Sequence, residues 1–124
     1  MLKTMGLVAV LVLGSALPAA ADDSMCSAPI APAAVDGNNA TKDQISGNLA
    51  DVKTFLKQSD DYQGCLLREV DQHKADWLKA KKDMDQVYLQ DVDVKIKANQ
   101  GLKEKVGAEY NAAAHAYMAK HPGG

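Results

Sequence analysis

The chain has 124 residues, with 14 Lys and Arg against 16 Asp and Glu and a formal charge of −2 at pH 7. Its basic residues are dispersed among acidic ones, which argues against nucleic acid as a partner, because phosphate binding needs a concentrated positive surface. A chain of this length supports one domain with a modest core.

Residues 1–21 read as an export signal. Lys3 supplies a positive start, Met5 to Leu13 are almost unbroken apolar, and Ala19-Ala20-Ala21 offers small residues for signal peptidase. The expected cleavage follows Ala21, and the periplasm of a Gram-negative cell is the expected destination. The apolar run is shorter than the roughly 20 residues that span a bilayer. Asp23-Ser24-Met25 before Cys26 lacks the small or apolar residues of a lipoprotein signal, so no membrane anchor is expected.

Residues 22–40 read as an extended arm. Pro29 and Pro32 favour polyproline-like backbone, and Asp36-Gly37-Asn38-Asn39 is a turn cluster. Thr41-Lys42-Asp43-Gln44 is a capping box that opens a helix. Ile45, Leu49, Val52, Leu56, Leu66 and Val70 follow at helical spacing, with Phe55, Tyr62 and Leu67 widening the stripe. Gly47 and Gly64 interrupt it, and Gly64 beside Cys65 suggests close approach of another segment.

No Pro or Gly occurs from Cys65 to Gln100, so the reversal is weakly marked. Four aspartates place it within 81–93. A second helix then runs to Lys120, with a stripe through Val94 or Ala98, Leu102, Val106, Tyr110, Ala113 and Tyr117. Residues 121–124, containing Pro122 and two glycines, read as a disordered tail. The domain of residues 41–120 is therefore expected to be an all-α antiparallel helical hairpin.

Cys26 and Cys65 are the two cysteines of the chain, and an exported context favours their pairing. An arm reaching back along the first helix can span the distance: its 15 steps to Thr41 cover about 46 Å when polyproline-like, against a helical rise of about 36 Å. No C-x-x-C pair is present, so the disulfide reads as structural.

The chain resembles a family of small exported proteins of Gram-negative bacteria, mostly without assigned function. The matching residues are Cys26-x-x-Pro29-x-x-Pro32, Asp36-Gly37, Ala40-Thr41, Val52-Lys53-x-Phe55, Tyr62-x-x-Cys65-Leu66, and Asn99-Gln100 with Lys103 to Asn111. The resemblance implies a disulfide-tethered helical hairpin and brings no catalytic motif.

The sharpest chemical candidate is the acidic set Asp83, Asp85, Asp91 and Asp93, suited to Ca²⁺ or a lanthanide if the carboxylates converge at the hairpin tip. Its spacing is not an EF-hand, since Tyr88 stands where the loop glycine belongs. Helix capping is the plainer explanation of the same residues. Glu69, His73 and Asp76 share one helix face and form a second, weaker metal candidate. The aromatic residues, Trp77 among them, read as helix–helix packing. No nucleophile elbow or phosphate loop is present. The reading is a non-enzymatic periplasmic binding or interaction module with an unknown protein partner. The alternative is a metal-binding protein, and the apolar stripe gives a surface for homodimerisation.

Overall fold

A computed structural model describes residues 24–123. The expected leader and its cleavage point lie outside the described residues. The architecture is all-helical: α1 spans Lys42–Lys79, α2 spans Gln86–Lys120, and the two pack as an antiparallel hairpin beside an irregular arm. At 38 residues, α1 is about 57 Å long.

Thr41 starts α1 as its sequence pattern predicts. The backbone N–H of Gln44 donates to Thr41 Oγ1 at 3.2 Å, and the Thr41 N–H donates to Gln44 Oε1 at 2.8 Å. The helix ends in a Schellman motif. The Lys82 N–H reaches the Trp77 carbonyl at 2.9 Å and the Lys81 N–H reaches Leu78 at 3.2 Å. The left-handed position that such an ending requires is filled by Lys81, with φ 53°. Asp85 then caps α2, its Oδ1 accepting from the N–H groups of Val87 and Tyr88 at 3.0 and 3.1 Å.

The chain therefore reverses over residues 80–85, and Asp91 and Asp93 stand on α2. The α2 seam runs through Leu102, Val106, Tyr110 and Ala113 as expected, but it starts from Val92 and Asn99 and not from Val94 or Ala98. Val94 is 64% exposed, whereas the buried residues Val92, Asn99, Val106 and Ala113 recur at heptad spacing. On α1 the buried set Asn48, Val52, Phe55, Ser59, Leu66 and Val70 follows the matching three-and-four rhythm.

Two apolar clusters form between the helices. Val52, Phe55 and Val106 make one, with Ala31, Leu56, Leu102 and Tyr110 around them. Leu66, Val70 and Val92 make the other, with Cys26, Tyr62, Tyr88, Leu89 and Ile96. Between the clusters lies a polar layer in which Asn99 Nδ2 donates to the Ser59 carbonyl at 3.0 Å. Lys103 pairs with Asp60 across the same level.

The arm covers the flank of the seam and runs antiparallel to α1. Cys26 is bonded to Cys65 with a Cα separation of 5.7 Å. Ala31 joins the first cluster, and the Ala33 carbonyl accepts from Asn48 Nδ2 at 3.5 Å. Gly37 then lies on α2, where a Cβ would fall 1.9 Å from the Ala113 carbonyl oxygen. The arm does come close beside Gly64, through the Cys26–Cys65 bond, but glycine is required at Gly37; at Gly64 the nearest atom to an added Cβ is Arg68 Nη1, on the next turn of the same helix. At the far end, His121 stacks on Tyr117 with ring centroids 4.3 Å apart and its N–H bonds back to α2, so this residue is held to the helix and not free in a tail.

Candidate functional site

The chemistry-bearing residues gather where the end of α1 faces the start of α2. On α1, Glu69, His73 and Trp77 follow one another at steps of four, which stacks them along one face. Opposite them stand Asp85, Tyr88, Asp91 and Lys95 of α2, brought into register by the capped reversal. Leu66 and Val92 form the floor, and Ser24 of the arm closes one side. Together these residues enclose a cavity of about 450 Å³.

Three rings form its wall at the tip end. The centroids of His73 and Tyr88 are 4.4 Å apart, and Trp77 stands 5.9 Å from each, nearly perpendicular to Tyr88. The Tyr88 hydroxyl is shut off from solvent and has no hydrogen-bond partner. Burial pushes its pKa above the ordinary value, and the negative charge of Glu69 adds to the shift.

The carboxylates each have a structural task. Glu69 Oε2 accepts from Ser24 Oγ at 2.9 Å and Oε1 from the Met25 N–H at 2.7 Å, fastening the arm next to the disulfide. Asp85 uses only Oδ1 in its cap. Asp91 Oδ2 meets Lys95 Nζ at 3.0 Å.

The structure thus divides both sets of candidate residues. Asp85 and Asp91 line this cavity with Glu69 and His73, while Asp83 lies in the reversal and Asp93 pairs with Lys97 at 2.7 Å. Asp76 lines a separate hollow beside Arg68 and Gln72, which Glu69 and His73 also border. Neither the four aspartates nor the trio of Glu69, His73 and Asp76 brings three ligand atoms within 4.8 Å of one another. Among the described residues the single group that close is Cys26, Cys65 and Glu69, whose sulfurs are joined to each other. Ca²⁺ takes six to eight oxygens, so within one chain these aspartates fall short of its coordination shell.

Tyr88 and Trp77 are the site residues that a reading for metal ligands passes over. Their signal is compositional: Trp77 is the sole tryptophan of the chain, and it stands close to the tip. A larger hollow of about 590 Å³ lies between the arm and the start of α1, lined by Pro32, Ala33, Val35 and Ala40 among others. Asn39, Gln44 and Asn48 line it beside Asp36 and Asp51, and no aromatic or cationic side chain is part of its lining.

The fold and site define an all-α helical hairpin tethered by a disulfide, with an aromatic and acidic cavity near its tip. No family model, no curated protein and no solved structure matches the chain. No described helix is long and apolar enough to cross a membrane.

Proposed function

We propose that the protein is a non-enzymatic binding module of the periplasm that engages another component of the cell envelope through the hairpin tip. The observation that carries this reading is the surface of the reversal. Leu78, Met84 and Val87 are 80, 50 and 76% exposed there, next to Lys79, Lys81 and Lys82. On the shaft, Lys57, Lys95, Lys97, Lys103 and Lys105 are held by carboxylates of the described residues, whereas Lys53 and Lys74 are not. The three at the tip have no such partner among the described residues.

Apolar side chains ringed by uncompensated lysines suit a protein surface with an apolar hollow and an acidic rim. The exported location rests on the leader-like residues 1–21 and on the disulfide, a bond that persists in oxidising compartments. The apolar stripe considered for self-association is largely spent inside the chain, since Val52, Leu66, Val70 and Val106 are buried between α1, α2 and the arm.

The test is photocrosslinking in cells from an unnatural residue placed at Leu78 or Val87, with Lys53 on the shaft as control. A discrete adduct from the tip positions and none from Lys53 is the expected result. Adducts from the shaft alone, or none from the tip, overturn the reading.

A further inference from the structure

We propose that the cavity between the last turns of α1 and the first turns of α2 binds a small organic ammonium ion. This site is distinct from the exposed tip surface and does not depend on it. Its volume, about 450 Å³, lies within the range of small-ligand sites.

The lining selects the ligand by charge. Glu69, Asp85 and Asp91 contribute three carboxylates, and the one cationic side chain in the lining, Lys95, is already met by Asp91. An anionic ligand would face this excess of negative charge. A bare metal ion would find its candidate oxygens too far apart to share. An ammonium head on an organic body matches both parts of the lining. Carboxylate oxygens left over from capping and ion pairing, such as Asp85 Oδ2, can accept its N–H groups, and the faces of Trp77 and Tyr88 attract its charge.

The Tyr88 hydroxyl supplies an independent sign. A buried hydroxyl with no partner is rare enough to need a reason. The Tyr88 ring packs on the His73 ring with centroids 4.4 Å apart, and His73 is solvent-exposed, so the imidazole can swing out without unpacking the core. A ligand entering in its place would reach the hydroxyl and give it a partner. The three rings of the free protein then act as a closed cluster that the ligand opens.

Trp77 is the only tryptophan, so emission excited selectively at tryptophan reports on this cavity. The oxidised mature chain is titrated with phenethylammonium, choline and cadaverine, following emission and heat together. The neutral 2-phenylethanol and the anionic 3-phenylpropionate serve as isosteric controls. The expected result is saturable binding of at least one ammonium probe, about tenfold tighter than either control. Asp85→Asn keeps a side chain that caps as well as aspartate but removes the charge. It should weaken the ammonium probe several-fold with helicity unchanged. If no ammonium probe saturates by either readout, the proposal is overturned. It is equally overturned if 2-phenylethanol binds as tightly as phenethylammonium, or if Asp85→Asn binds as the parent does.

Discussion

Asn99 donates its side-chain amide to the main-chain carbonyl of Ser59 at 3.0 Å, forty residues away on the facing helix. Both residues are buried, and the contact sits between the two apolar clusters. A polar group in a heptad seam is satisfied in one alignment only, so this contact selects the register that sets Tyr88 and Asp85 opposite His73 and Trp77. Asn99→Ala is expected to cost about 0.5–1.5 kcal/mol, because the seam loses its cross-helix hydrogen bond while the Ser59 carbonyl keeps its partner within α1. Ser59→Ala should be neutral or stabilising, since the Ser59 hydroxyl has no hydrogen-bond partner to lose. Urea denaturation of the two variants checks the pair, and a Ser59→Ala loss as large as that of Asn99→Ala would contradict this account.

Much of this arrangement is legible in the sequence where the determinants are local. The Thr41 capping box needs only four consecutive residues, and the Cys26–Cys65 pair follows from compartment and count. The α2 register was not legible from its aspartates, which favour turns as well as caps. A better signal lay four residues on: Asp91 with Lys95 and Asp93 with Lys97 are spaced as helical ion pairs, and both form. The cavity is a long-range property. Glu69 and His73 share a face on α1, but nothing local says that Tyr88 and Asp85 will stand across from them.

The glycines separate a conformational need from a tolerated cost. Gly37 lies so close to Ala113 that any Cβ would overlap the helix backbone, so Gly37→Ala is expected to lift this part of the arm off α2. Gly47 has nothing within 4 Å of the same position, and Gly47→Ala should stabilise α1 by about 0.5–1 kcal/mol. Thermal melts give the opposite signs. Amide exchange near Ala33 and Asn48 should quicken in the Gly37 variant alone.

Lys81 takes the left-handed position of the Schellman motif, where a side chain clashes with its own backbone. Lys81→Gly should relieve about 1 kcal/mol and raise the melting temperature while leaving the fold unchanged. The same variant removes one of three tip lysines. Under the proposed function, its crosslinking yield from Val87 should fall even as stability rises, which separates the two roles of the residue.

Reduction of Cys26–Cys65 opens a loop with a sequence separation of 39 and should cost about 2–4 kcal/mol. The arm is also fastened by Ser24 and Met25 on Glu69, and those bonds are expected to fray once the covalent tether is gone. A Cys26→Ser, Cys65→Ser variant should keep most of its helical circular dichroism, because α1 and α2 bury their seams on each other. Limited proteolysis should then cut between residues 26 and 36, where the oxidised protein is expected to stay intact. Loss of helicity on reduction would show instead that the arm is required for the hairpin to form.

Tyr88 gives the protein an alkaline limit. Burial first, and the charge of Glu69 second, hold its pKa above the ordinary tyrosine value of 10.0, with Lys95 opposing in part. In the unfolded chain the phenol ionises near that ordinary value, while the folded chain keeps its proton to higher pH. Above the ordinary value the unfolded state therefore binds fewer protons, and stability falls as pH rises until the folded phenol ionises as well. Below it, Tyr88 adds no pH dependence. Tyr88→Phe removes this ionisation and the unpartnered hydroxyl together, so its denaturation midpoint should match or exceed that of the parent at neutral pH. Across the alkaline range the parent should weaken faster than the variant. Parallel alkaline profiles would mean that the phenol ionises as freely in the folded protein as in the unfolded one.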